Sequence, residues 1–313
     1  TDLDDPNPAL RDFVAFRIVE DEHPRQGSKY RLWPTYNFAV SIDDHRLGIT
    51  HVLRGKDHLN NTERQKWIYK YMDWKEPHFI HYGLVSMPDT LLKTSEIKKG
   101  ISDGTYIGWH DCQLATVQAL KIRGFKPQAI RKFWIAGGVK EVDITFSWSN
   151  LESVNKSLID SKSRRLFFVP NPISFSFESS SVVQKNAPFH PDIPEWGART
   201  ETISSESQIY LSEGDISSLK TGDVIRLKNL CNVTFHEDKL VYHGTDTIKG
   251  IPIFQWVSDK NIDLSLYYSD GRKVLGLVED EALSYIHETV QFERLGFVTL
   301  SDSKSNIHAF YLH

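Results

Sequence analysis

The sequence predicts a multi-domain protein: an α/β segment over the first third, a short helical segment, and an all-β region over the second half. Three observations lead there. Short β-branched runs alternate with a helical pattern up to about residue 100. Capped helical patterns follow one another between residues 101 and 162. After Ser163 helical periodicity gives way to short apolar runs bounded by Gly, Asp, Asn or Ser.

The elements follow in order. Residues 13–19 form an apolar run that stops at Glu20-Asp21-Glu22 and reads as a strand. Residues 35–42, beyond the turn-rich residues 21–29, read as a buried strand or strand end, and residues 49–53 as another short strand. A helix should open near residues 57–61, where Asp and Asn supply cap oxygens, with Trp67, Ile68, Tyr71 and Met72 on one face and Pro77 closing the unit. The next starts at His110 or Asp111, carries Leu114, Val117 and Leu120, and stops at Gly124. Another has Pro127 in its first turn, presents Ile130, Phe133 and Trp134, and ends at Gly137-Gly138. Ser149 and Glu152 form a capping box for a third, with Leu151, Val154, Leu158 and Ile159 behind it. The short runs from Leu166 to Tyr311 then indicate one or two antiparallel barrels or sandwiches, with Trp256 and Phe292 as core residues.

Composition sets the outer bounds. A chain of 313 residues, 40% hydrophobic and 25% charged, has material for two or three folded domains. The two cysteines, Cys112 and Cys231, exclude a disulfide framework and a zinc knuckle, which points to a reducing, cytoplasmic setting. No run is long enough to span a membrane, and no signal segment opens the chain. The net charge of -4 does not advertise nucleic-acid binding, so any such role rests on local patches. These are Lys93, Lys98 and Lys99; Lys121, Arg123 and Lys126; Arg131 and Lys132; and Lys162, Arg164 and Arg165. Any one of them, taken alone, is an ordinary solvated face. His51, Asp57 and His58 lack the spacing or cysteine companions of a metal site, so none is expected.

Longer segments carry a resemblance. Leu32-Trp33-Pro34-Thr35-Tyr36-Asn37-Phe38-Ala39, Ile42-Asp43-Asp44, residues 48–58 ending Arg54-Gly55-Lys56-Asp57-His58, and Asn61-Thr62 resemble the class I glutamyl- and glutaminyl-tRNA synthetases. They are closest to the archaeal and eukaryotic glutamyl type. Residues 97–100, 167–170, His190-Pro191, residues 222–227 and residues 291–297 resemble the same family, so the likeness runs through essentially the whole chain.

The resemblance implies four parts. Residues 1–30 would end an acceptor-binding insertion, and residues 31–100 would be the second half of a Rossmann catalytic domain. Residues 101–162 would be a helical connecting domain, and residues 163–313 an anticodon-binding region of two antiparallel barrels. Tyr36 and Arg54 would contact the amino acid, Arg54 pairing its guanidinium with the glutamate side-chain carboxylate. Gly55, Asp57, His58, Leu92 and Lys93 would line the ATP site. Leu91-Leu92-Lys93-Thr94-Ser95 resembles the mobile class I signature loop with one of its two lysines, which makes Lys93, Thr94 and Ser95 the catalytic candidates. Lys121, Arg123, Lys126, Arg131 and Lys132 would contact tRNA phosphates, and Arg199, Arg226 and Arg294 would be candidate anticodon readers. ATP with Mg2+, tRNA and L-glutamate are the implied co-substrates and partners, with no dedicated protein metal site and no membrane.

The family's other signature, a His-Ile-Gly-His-like segment, has no counterpart here. The expectation is therefore the C-terminal part of a longer glutamate–tRNA ligase, inactive alone: a fragment, a cleaved product, or one piece of a nicked molecule whose N-terminal half is a separate chain. Two alternatives stay open: a glutaminyl-tRNA synthetase part, and a non-catalytic RNA- or protein-binding module.

Overall fold

The computed structural model describes residues 2–303 and 306–313. It divides into two compact units, residues 1–88 with 135–146, and residues 89–134 with 147–313.

In the first unit, strands His51–Gly55 and His78–Tyr82 run parallel, with Arg54 opposite His81. Parallel neighbours need a crossover, and the helix Leu59–Tyr71 supplies it after a one-turn 3-10 segment, Lys56–His58. Residues 35–42 are not a strand: they lie in the helix Tyr36–Arg46. The buried side of that helix is polar. Asn37 and Ser41 stand one turn apart and both are buried, and the Ser41 hydroxyl donates to the Asn37 carbonyl at 2.8 Å. The crossover helix answers in kind, burying Thr62, Gln65, Ile68 and Tyr69, while Tyr71 and Met72, expected inside, are exposed. Gln65 Nε2 donates to Asn37 Oδ1 at 3.1 Å and so joins the two helices. Two short pairs complete the unit: Phe16–Ile18 antiparallel to Leu32–Pro34, and Val85–Ser86 parallel to Ile144–Thr145.

In the second unit, the helix Thr94–Ser102 packs Ile97 against Leu114 and Ala119. The helix expected from residue 110 begins later, as Val117–Arg123, with the Thr116 hydroxyl accepting from the Ala119 N–H at 3.0 Å. Asp111 instead closes the preceding turn, accepting from the backbone of Ile107 and Gln113. Gly124 ends the helix in the left-handed region at φ 105°, and a Cβ there would run into the Thr299 hydroxyl. Pro127–Gly137 has the predicted bounds. Trp148–Ile159 is capped by Ser147, whose hydroxyl accepts from Asn150 N–H, two residues before the Ser149 that the sequence pattern favours.

The β region holds two large sheets. One runs, in spatial order, Gln208–Ser212, Pro172–Glu178, Lys239–Gly244, Asn232–Phe235, Val224–Leu227, Ile253–Phe254. Its two edges are joined where Tyr210 and Val257 exchange backbone hydrogen bonds of 2.8 and 3.3 Å. The other runs Arg165–Leu166, Thr289–Phe292, Gly296–Ser303, Asn306–Tyr311, Asn261–Tyr267, Lys273–Glu279, Phe168–Pro170. Only Phe167 separates the strands at its opposite edges. One residue spans roughly 3.3 Å, so this sheet has to curl round until its edges nearly meet. The pairing is mixed rather than antiparallel throughout: each sheet contains two parallel pairs. Separate apolar cores fill the two sheets, one around Trp256, Phe175 and Phe177, the other around Leu166, Phe292 and Leu300.

Candidate functional site

The first unit gathers its polar groups at the C-terminal end of the strand His51–Gly55 and over the adjoining helix, where ligand sites of parallel α/β sheets lie. Arg54 is only 8% exposed. Its Nη2 donates to the Thr62 hydroxyl, and its guanidinium carbon lies 5.1 Å from the centre of the Phe79 ring. Its Nε and Nη1 are buried with no hydrogen-bond partner among the described residues. The Thr62 hydroxyl is also 2.8 Å from His81 Nε2 and 3.3 Å from the His58 carbonyl. His58 continues the chain of contacts: its Nδ1 is 3.0 Å from Asn61 Nδ2, and its ring lies 5.6 Å from that of the half-exposed Tyr36. Asn61 Oδ1 accepts from Asn37 Nδ2 at 3.1 Å. Tyr36 and Arg54 thus belong to one connected polar cluster.

Burial shapes the titration of this cluster. It lowers the His81 pKa, with the Arg54 charge adding to the effect. It raises that of Asp44, partly offset by Arg54. It pushes the Tyr69 hydroxyl, which has no hydrogen-bond partner among the described residues, up to about 12. The sequence reading missed Asn37, Gln65, Tyr69 and His81. The available signal was polar spacing, since Thr62, Gln65 and Tyr69 fall on one helical face.

The proposed nucleotide residues divide between the units. Gly55, Asp57 and His58 sit at the strand end and in the 3-10 turn. The Asp57 carboxylate folds back over Gly55, where any Cβ would collide with it. Lys56 pairs with Asp143 at 2.7 Å, and this bond, with that from the Leu84 N–H, holds the Asp143 carboxyl below its usual range. Leu92, Lys93, Thr94 and Ser95 lie in the second unit and are exposed, Thr94 and Ser95 forming the first turn of the helix Thr94–Ser102. Lys93 is paired with Glu96 at 2.9 Å. Among the described residues no group of three or more His, Cys, Asp or Glu side chains could hold a metal ion.

The basic candidates separate sharply. Lys121, Arg131 and Lys132 are exposed. Lys126 is half-buried with its Nζ 3.4 Å from the Thr289 hydroxyl. Arg123 is interior: it donates to the Leu312 carbonyl at 3.2 Å and lies against the rings of Phe125 and Trp148, so the expected phosphate contact is corrected to a packing role. Arg199 is also corrected. Its side chain is 0% exposed, held by Glu279, the Arg165 carbonyl and the rings of Phe167 and Phe189. Glu279 pairs with the buried Lys185 as well and accepts from the Phe167 N–H at 2.7 Å. Arg226 is tied to Asn232 Oδ1 and the Thr245 carbonyl at 2.8 and 3.1 Å. Arg294 is half-exposed and faces a cavity of about 320 Å³ that Arg165, Lys228, Asn229 and Gln291 also line. Burial lowers the Lys228 pKa, and the positive charges of Arg199, Arg294 and Arg165 add to it. Arg165 Nη1 is buried there without a partner among the described residues. Glu293 also lines the cavity and pairs with Lys228, as Asp160 pairs with Arg165 and Asp215 with Arg294, so each of its cations already has an acidic partner.

Residues 2–161 match the family model of the catalytic domain of class I tRNA synthetases (E and Q), and residues 163–249 match the anticodon-binding domain of the same group. The chain is 40% identical over 313 residues to a glutamate–tRNA ligase of Thermoplasma volcanium, covering 100% of this chain and 56% of that one. It is 40% identical to that of Pyrococcus horikoshii and 42% identical to that of Methanopyrus kandleri, in each case over 100% of this chain and 57% of the relative. The chain therefore spans a little over half the length of these relatives. No helix among the described residues is long and apolar enough to cross a membrane. By both domain matches, the chain belongs to the class I tRNA synthetases of the E and Q group.

Proposed function

We propose that this chain is part of a glutamate–tRNA ligase, in which the first unit reads the glutamate side chain and the second binds tRNA. The observation that carries the reading is Arg54. It is a buried guanidinium with one protein acceptor and no carboxylate partner among the described residues. The Asp44 carboxyl is within electrostatic reach of it but makes no ion pair, so an incoming carboxylate supplies both a contacting charge and the missing acceptors. A glutamine amide would bring an acceptor but no charge, which favours glutamate over glutamine.

The reaction needs orientation more than a nucleophilic side chain. The glutamate α-carboxylate attacks the α-phosphorus of ATP and the bond to pyrophosphate breaks; a hydroxyl of the terminal tRNA ribose then attacks the mixed anhydride and AMP leaves. In this reading Tyr36 and Arg54 hold the amino acid, and Gly55, Asp57, His58, Leu92 and Lys93 face ATP, which brings its Mg2+. Lys93, with the first-turn amides and hydroxyls of Thr94 and Ser95, stabilises charge developing on the phosphates. Lys121, Lys126, Arg131 and Lys132 contact the tRNA backbone, and the two curled β sheets, acting as barrels, bind the anticodon with Arg226 and Arg294 at their RNA-facing side.

Arg54→Ala in the full-length protein tests the central assignment. Loss of a charge-assisted pair should cost about 1.5–3 kcal/mol, a factor of about 10 to 150 in kcat/KM for glutamate. ATP and tRNA affinities should hold. A folded Arg54→Ala protein with unchanged glutamate kinetics removes the reading.

A further inference from the structure

The Arg54 guanidinium is not held by a carboxylate but by a threonine hydroxyl, and that hydroxyl is itself held by a histidine. Arg54 and His81 stand directly opposite each other on the two parallel strands, and both turn toward the crossover helix, where Thr62 stands between them. All three are buried: Arg54 8% exposed, His81 9%, Thr62 2%.

The hydroxyl of Thr62 can serve every bond in this triplet. An arginine can only donate, so the bond from Nη2 takes one lone pair of that hydroxyl. Its second lone pair and its proton meet His81 Nε2 at 2.8 Å and the His58 carbonyl at 3.3 Å: Thr62 donates to a bare Nε2, or accepts from Nε2–H and donates to the carbonyl. In either tautomer His81 fixes the hydroxyl that receives the guanidinium.

We propose that Thr62, held in turn by His81, is a positioning residue for Arg54. The inference rests on the assignment of Arg54 to the glutamate side chain. Its physical content is separate: the one hydrogen bond from the guanidinium to protein among the described residues is received by a hydroxyl that a second buried residue holds in place.

In the full-length enzyme, Thr62→Val should raise the glutamate KM about tenfold or more with little change in the KM for ATP, while Thr62→Ser, which keeps the hydroxyl, should recover most of the loss. His81→Ala, which leaves the bond from Arg54 to Thr62 but frees the hydroxyl, should raise the glutamate KM less than Thr62→Val does. Circular dichroism confirms that each variant folds. An unchanged glutamate KM in Thr62→Val, or no recovery in Thr62→Ser, overturns the positioning role, and the Arg54 assignment still stands if Arg54→Ala impairs glutamate use. If Arg54→Ala leaves glutamate use intact, the Arg54 assignment falls and the positioning role falls with it.

Discussion

Arg294 grips the Asp215 carboxylate with both terminal nitrogens, each at 3.0 Å. Its backbone sits in the left-handed region at φ 65°, unusual for a side chain of this size, so the pair holds the guanidinium at the rim of the cavity shared with Arg165, Lys228 and Glu293 against a local strain. Arg294→Ala is expected to weaken tRNA binding by about 1–3 kcal/mol, and Asp215→Asn by less, since the latter loosens the arginine without removing it. Equilibrium binding at fixed salt measures both. Unchanged affinity in Arg294→Ala would make this a structural ion pair only.

Glu279 is the anchor of the second unit. It faces Lys185 and Arg199, and each of the three side chains is at most 2% exposed. Glu279→Gln should destabilise the protein by about 3–5 kcal/mol, because it leaves buried Arg199 without a carboxylate and Lys185 with only the more distant Glu201 at 3.9 Å. Urea unfolding measures the loss. A cost under about 1 kcal/mol would mean that solvent or rearrangement supplies the counter-charge.

Gly124 and Gly137 make a matched pair of helix-end tests. Gly124→Ala meets both a positive φ and the Thr299 hydroxyl, and should cost about 1–3 kcal/mol. Gly137 has open space around it, and Gly137→Ala should be neutral or stabilise by up to about 1 kcal/mol. Thermal unfolding of the two variants side by side gives the comparison. Equal effects would show that the left-handed cap does not constrain the chain.

His313 is expected to make the second unit acid-sensitive. Burial, reinforced by Lys156 and Arg123, pushes its pKa down to about 4 from the ordinary 6.5. Between those values the unfolded chain binds more protons than the folded one, so stability is full above pH 6.5 and is lost as pH falls toward 4. Partial solvent contact reduces the effect to about 1–2 kcal/mol. Unfolding free energies at pH 7.5 and pH 5 should differ more in the wild type than in His313→Gln. Equal pH slopes would assign the acid sensitivity elsewhere.

How far the sequence was readable depended on whether its signals were local. Pro127 and Gly137 bound their helix as read, because proline at a first turn and glycine at an end act through their own backbone. Residues 35–42 were misread as a strand because their helix buries Asn37 and Ser41, and a reading tuned to apolar periodicity looks for the wrong face. Strand direction in the β region was out of reach: Arg165 pairs with Gln291, and nothing near either residue encodes that partnership. At the site, the resemblance picked out Arg54, but its dependence on Thr62 and the silent partner His81 needed the strand register. Arg199 looked like a reader only because charge in a sequence does not disclose its counter-ion, here Glu279.

Phe167 has a consequence for biosynthesis. The two strands that flank it leave the ribosome before any strand they pair with in the seven-stranded sheet, and Arg165 must wait roughly 120 residues for Gln291. Until Gln291 and Phe292 emerge for Leu166, and Val278 for Phe168, these two side chains, destined for the interior of that sheet, are carried by a nascent chain that lacks their partner strands. Closure of that sheet is therefore a late event in translation, and stalled or truncated synthesis anywhere between these partners should yield a product that chaperones retain.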